Sequence, residues 1–160
     1  MATQAQERRF EIVPMKLSDL DGVMEIERGS FRAPWSRQVF VEELDREWAR
    51  VEVVRTRKDG GLGPIQGFIN YWLVRDEVHV LNVAVHPSAR RLGHASRLLE
   101  HVIGFAHRNR CRYVTLEVRR SNAAAIRLYR KYGFRPVGIR PHYYVEDNED
   151  AIVMLLELRT

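Results

Sequence analysis

Cysteine occurs once in the 160 residues, which excludes an internal disulfide and offers no metal-ligand spacing. Such usage points to a reducing compartment. No apolar run approaches the ~20 residues needed to cross a bilayer, and the opening MATQAQERRF lacks the apolar stretch of a signal peptide. A cytoplasmic protein without membrane contact is therefore expected. Internal repeats and low-complexity tracts are missing, and none of the six histidines has metal-site spacing, so no metal is expected. Acidic residues are in deficit: 26 Lys and Arg against 21 Asp and Glu leave a net charge of +5. That excess suggests an anionic partner, whether nucleic acid, a phosphate-rich cofactor or the ribosome, and charge alone does not choose among them.

What is present suits one α/β domain over residues 10–160, with residues 1–9 a loose tail. Its organising stretch is Glu77 to Phe105. Val78, Val80, Leu81, Val83, Ala84 and Val85 read as a strand buried on both faces, stopped by Pro87 and Ser88. Ala95, Leu98, Leu99, Val102, Ile103 and Ala106 then draw an apolar stripe on a helix starting near Arg91. Between them Arg90-Arg91-Leu92-Gly93-His94-Ala95 forms a basic glycine turn. A helix N-terminus at such a turn attracts phosphate, through unpaired N–H groups and the positive end of the dipole. The plainer alternative is a tight connection whose basic residues face water.

Upstream, Phe10 to Pro14 reads as an edge strand. Ser18, with Asp21 three residues on, predicts an N-cap for a helix to about Arg28, and Ser36 a second cap for a helix to about Glu47. Arg50 to Thr56 and Ile65 to Val74 are strands joined in an antiparallel hairpin by the glycines between Lys58 and Pro64. Downstream, Tyr113 to Arg119 alternates, with Val114, Leu116 and Val118 on one face and Thr115, Glu117 and Arg119 on the other. Asn122 to Tyr132 is a short helix closed by Gly133. Arg135 to Tyr144 and Ala151 to Leu158 are the last strands, turning in an acidic stretch.

The order strand, basic glycine turn, helix, Leu116-Glu117-Val118-Arg119, then Asn122-x-x-Ala125-x-x-Leu128-Tyr129-x-x-Tyr132-Gly133-Phe134, resembles the GNAT acetyltransferases. Arg90-x-x-Gly93-x-Ala95 fits the acetyl-CoA signature of that superfamily. The Phe31-x-x-Pro34-Trp35-Ser36 loop, Asn122 with its flanking residues, and Tyr143-Tyr144 resemble in particular the RimI-type ribosomal-protein-alanine N-acetyltransferases. Leu92 and His94 depart from the usual turn residues, and His94 reads as a solvated side chain.

The resemblance implies a mixed, largely antiparallel sheet, flanked by helices, whose fourth and fifth strands (β4 and β5) splay to admit pantetheine like a missing strand. It implies acetyl-CoA as cosubstrate. Val83, Ala84 and Val85 would bond its pantetheine, Arg91, Leu92, Gly93, His94, Ala95 and Ser96 would cradle its pyrophosphate, and Asn122 would reach the arm. Glu117 would be the general base and Tyr129 the general acid. Phe31, Trp35, Tyr143 and Tyr144 would wall the acceptor groove. The implied acceptor is a protein N-terminus, the alanine of small-subunit ribosomal protein S18, and the implied enzyme a monomer without direct nucleic-acid binding. The alternatives are acetylation of lysine side chains or a small amine, or a non-catalytic RNA- or ribosome-binding module on the same fold.

Overall fold

The computed structural model describes residues 9–159. Seven strands form one sheet in the order β1-β2-β3-β4-β5-β7-β6: β1 (Phe10–Pro14), β2 (Ala49–Lys58), β3 (Gly61–Val74), β4 (Glu77–Val85), β5 (Tyr113–Arg119), β6 (Arg135–Tyr144) and β7 (Glu149–Glu157). Four helices accompany them: α1 (Leu20–Ser30), α2 (Arg37–Asp45), α3 (His94–Arg108) and α4 (Ala123–Lys131). The expected tail lies outside the described residues except for Arg9, whose carbonyl accepts a 2.6 Å bond from Arg57 N–H. By its contacts the chain forms two compact units, the residues up to Asn70 with Asn82–Leu99, and Tyr71–Leu81 with everything from Glu100 on.

In the first unit, β1 runs antiparallel to β2, from Phe10 opposite Thr56 to Pro14 opposite Glu52. The apolar stripe of α1 closes over this ribbon, so that Val23, Ile26, Phe40, Val53 and Phe68 are fully buried in one cluster. The start of α1 differs from expectation. A short 3-10 turn, Leu17–Asp19, precedes it, and the Asp19 carboxylate, rather than Ser18, accepts a backbone bond, from Lys16 N–H at 2.9 Å. Asp19 also pairs with Arg55 at 2.7 Å. Ser36 does cap α2, its Oγ accepting from Val39 N–H at 3.3 Å.

The turn between β2 and β3 is only Asp59-Gly60, so Gly61 to Pro64 belong to the strand. Adjacent strands joined so tightly must be antiparallel. Further along β3, a Cβ on Gly67 would lie 2.8 Å from the Ala84 carbonyl oxygen and 3.4 Å from the Val85 Cα. Only glycine permits that approach, which fixes the carboxyl end of β4 against β3. β4 itself is not buried on both faces: Val78, Val80 and Ala84 are buried while Leu81, Asn82, Val83 and Val85 are half-buried.

In the second unit β4 and β5 pair in parallel from Glu77–Tyr113 to Val80–Leu116, where the ladder ends although β4 continues to Val85 and β5 to Arg119. β5 pairs antiparallel with β7 over its whole length. Val114, Leu116 and Val118 are buried as the alternation requires, which turns Glu117 to the other face. Asn122 caps α4, its side-chain oxygen accepting from Ala125 N–H at 3.2 Å, and Gly133 ends the helix with φ +95°. β6 is the edge strand, exposed from Arg135 through Tyr143. Its register against β7 shifts between Arg140 and Tyr144, a bulge that holds His142 at φ 54° and sets where Tyr143 and Tyr144 point.

Candidate active site

The glycine turn lies in the first unit. Helix α3 begins at His94, three residues later than its apolar period suggests, because Arg91 (φ 67°) and Gly93 (φ 80°) both take left-handed backbone that a helix cannot contain. The first intrahelical bond is Arg97 N–H to the Gly93 carbonyl, 3.0 Å. The N–H groups of His94, Ala95 and Ser96 therefore precede any helical acceptor and stay available to an anion. Arg97 holds the turn in shape. Its guanidinium donates to the Leu92 carbonyl at 2.6 Å and lies 4.8 Å from the centre of the Phe10 ring. Arg90 and Arg91 are exposed, as is Leu92.

His94 corrects the sequence reading. It is 1% exposed, not solvated, and meets the Phe10 ring edge-on at 4.5 Å. Burial, with the nearby Arg97 charge, lowers its pKa, so the ring is neutral near pH 7. Its Nδ1 faces Arg97 at 3.3 Å, which leaves the proton on Nε2, a buried donor without a protein partner. The N–H groups of His94, Ala95 and Ser96 at this helix start suit an anionic group such as pyrophosphate.

A residue the sequence did not single out also belongs to this unit. Glu27 on α1 is 1% exposed; one carboxylate oxygen accepts from Trp35 N–H at 3.1 Å, and Asn82 of β4 lies 3.4 Å and 3.5 Å from the two oxygens. It thereby anchors the Phe31–Ser36 loop, whose Phe31 and Trp35 rest on the hydrophobic cluster. Burial raises its pKa to about 7, opposed only by the Trp35 bond. Because the folded pKa exceeds the unfolded one, Glu27 favours folding below pH ~4.5 and loses that advantage as pH rises through about 7, a swing of up to about 3 kcal/mol. Glu27→Gln keeps an acceptor for Trp35 and should raise the melting temperature at pH 8 far more than at pH 5. Equal shifts in thermal melts at the two pH values would contradict this.

The second unit carries Glu117 and Tyr129, the residues expected to act as base and acid. Glu117, its side chain 9% exposed, is 2.6 Å from His79 Nε2 on β4 and 3.4 Å from the Arg140 guanidinium on β6. Burial pushes its carboxyl up, but the His79 hydrogen bond and charge, with Arg140, outweigh burial and hold it below its ordinary value. An ionised carboxylate there requires a donor, so His79 holds a proton on Nε2 toward Glu117. Tyr129 is buried against Phe134, ring centres 5.8 Å apart, and burial raises its phenol to about 12. Tyr144 is likewise pushed to about 12, by burial first, with smaller contributions from Tyr143, Glu117 and Tyr129. Glu117, Tyr129, Tyr143 and Tyr144 thus share one electrostatic environment. Asn122 spends its oxygen on the α4 cap, which leaves its Nδ2 donors.

The acidic β6–β7 turn is tied down. Arg119 donates to Glu146, to Asp147 at 2.8 Å and to Glu149 at 3.2 Å, and covers the Tyr144 ring at 4.0 Å. Arg120 takes Asp150 at 3.6 Å.

The available N–H groups at a helix start in the first unit, and the carboxylate–imidazole pair and buried phenols in the second, are kinds of group that a group-transfer enzyme uses. The chain belongs to the acetyltransferase (GNAT) family, whose model matches residues 20–134; it is an acetyltransferase, with acetyl-CoA as donor. It is 33% identical over 149 residues to the [ribosomal protein bS18]-alanine N-acetyltransferase of Escherichia coli K12, covering 92% of this chain and 97% of the relative. Among solved structures, the crystal structure of the ribosomal-protein-S18-alanine N-acetyltransferase from Escherichia coli superposes with a TM-score of 0.83 at 33% identity, covering 94% of this chain and 95% of that one. Ard1 from Thermoplasma volcanium also reaches 0.83, at 26% identity, with 95% and 99% covered. Among the described residues no helix is long and apolar enough to cross a membrane.

Proposed function

We propose that the protein acetylates the α-amine of a protein N-terminus beginning with alanine, that of ribosomal protein S18 in the small subunit, and that it works in the cytoplasm. The observation that carries this reading is the match, along nine-tenths of both chains, to relatives named for that reaction.

Acetyl-CoA supplies an activated acetyl thioester. Its pyrophosphate is held by the N–H groups of Arg91 through Ser96, and its pantetheine by backbone groups of Val83, Ala84 and Val85 and by the Asn122 amide. A β4 N–H near Val83 polarises the acetyl carbonyl. The acceptor α-ammonium, pKa about 8, must lose a proton before it attacks. Glu117 alone, held below the usual carboxylate range, would be a weak base for it. With His79 it forms a unit: Nδ1 takes the proton, and the Glu117 carboxylate stabilises the imidazolium so formed, the logic of an acid–histidine pair. By the family resemblance, Phe31, Trp35, Tyr143 and Tyr144 would wall the acceptor groove.

Tyr129, pushed to about 12, stays protonated throughout the working range and donates a hydrogen bond to the departing sulfur. Tyr129→Phe should lower the single-turnover rate by about 10–100-fold with the fold intact, since only the hydroxyl is lost; an unchanged rate would remove the hydroxyl from the chemistry. The acceptor preference is tested by a peptide series differing only in its first residue. Alanine should lead by at least about tenfold in kcat/KM, and indifference to that residue would contradict the alanine assignment.

A further inference from the structure

The register of the second unit brings one row of strand ends together: Glu77 lies opposite Tyr113, and Tyr113 opposite Glu157. Backbone bonds join the adjoining turns, Arg112 N–H to the Asp76 carbonyl at 2.7 Å and Leu158 N–H to the Arg112 carbonyl at 2.8 Å. Arg75, Arg108, Arg110, Arg112 and Arg159 are therefore gathered at this end, all exposed. The carboxylates there are Asp76, 4.0 Å from Arg112, Glu157, 3.7 Å from Arg135, and Glu77. Arg75, Arg108, Arg110 and Arg159 make no ion pair among the described residues. This end is remote in the sequence pattern from the chemistry: it is formed by the amino ends of β4 and β5, whereas ligands in α/β sheets are bound at the carboxyl ends.

Two features bear on what this end could bind. The cations are all arginine, as are 23 of the chain's 26 basic residues, and their planar forks match phosphate bidentately. Further, Arg75 (φ 55°) and Arg110 (φ 56°) both occupy left-handed turn positions, where glycine or asparagine would avoid a cost of about 1 kcal/mol. Strain is thus kept at two positions whose side chains make no ion pair among the described residues.

We propose that this arginine end is a binding surface for the phosphate backbone of RNA, independent of which amine the enzyme acetylates and contrary to the expectation from sequence that nucleic acid is not bound directly. Net charge does not distinguish a cofactor-binding protein from an RNA-binding one; the gathering at the amino ends of β4 and β5 of exposed guanidinium groups that make no ion pair among the described residues does. Engagement of about four phosphates of a duplex predicts a slope of about −3.6 in log K against log salt.

The test is fluorescence anisotropy of a labelled 16-base-pair RNA duplex with the full chain. Arg75→Gly with Arg110→Gly relieves the left-handed strain while removing two charges, so folding is preserved. Arg108→Gln with Arg159→Gln removes two others without touching those turns. Each pair should weaken binding by about tenfold or more and leave acetylation of a free peptide unchanged. A control of equal charge loss, Lys16→Gln with Lys58→Gln on the first unit, should cost less than about threefold. Loss as large in the control, no measurable binding at 100 mM salt, or equally tight binding of polyglutamate, which would mark an acidic-protein surface instead, would each overturn the proposal.

Discussion

Glu117→Gln is expected to lower turnover by about 10²–10⁴-fold while acetyl-CoA affinity hardly changes. The amide can still accept the bond from His79 Nε2 that the carboxylate accepts at 2.6 Å, so the geometry survives. Two things are lost. In the proposed mechanism the neutral amide no longer stabilises an imidazolium, and because it can also donate, it no longer holds the proton on Nε2 that leaves Nδ1 to act as base. His79→Gln should cost a comparable amount, and the double substitution little more than the worse single one, since the two act as a unit. Folding carries a further signature. The folded carboxyl titrates below its ordinary value, so its stabilisation is present above the unfolded pKa and is lost as pH falls through the folded one. The variant should lose less stability than wild type on acidification. Near-normal turnover at pH 7, measured by thiol release, would remove Glu117 from the mechanism.

Gly93→Val should weaken acetyl-CoA binding by about 10–100-fold. A Cβ at Gly93 would meet only the Arg97 guanidinium, at 3.6 Å, so the damage is not crowding within the protein. It comes from φ +80°, which a β-branched residue tolerates at a cost of about 1–3 kcal/mol, and from a side chain standing where the backbone must approach the pyrophosphate. If the turn relaxes to avoid the strain, the N–H groups of His94, Ala95 and Ser96 lose their common direction, and the Leu92 carbonyl leaves Arg97. Calorimetry giving wild-type affinity would dissolve the cradle assignment.

How much of this was legible in the sequence depends on how far apart the interacting residues lie. The alternation at Val114, Leu116 and Val118, the Ser36 cap and the Gly133 stop are local signals, and each corresponds to the element observed. Glu117 was recognisable by its position in a resembling motif. Its partners were not, because His79 lies 38 residues away and is reached only through parallel pairing of β4 with β5. Glu27 looked like one polar residue on an amphipathic helix; its burial depends on Trp35 and Asn82 converging from a loop and a strand. The late start of α3 escaped notice since left-handed backbone at Arg91, a non-glycine residue, has no compositional mark. His94 was misread as solvated because the Phe10 ring that covers it comes from the other end of the first unit's chain. The acidic stretch between β6 and β7 is largely committed to Arg119 and Arg120, partners that lie about 30 residues away in the sequence and are reached through the pairing of β5 with β7.

The central claim is transfer of acetyl from acetyl-CoA to a protein α-amine. A peptide N-terminus has the advantage that its pKa of about 8, against about 10.4 for lysine, leaves over a hundredfold more neutral amine near pH 7. The most direct measurement offers the enzyme acetyl-CoA and two peptides of one sequence, beginning with alanine and continuing with basic residues, one with a free N-terminus and one with its N-terminus blocked and its lysines free. Tandem mass spectrometry then locates the added acetyl group. The account predicts rapid modification of the free α-amine and little on the blocked peptide; equal rates on the two, with acetyl on lysine, would contradict it.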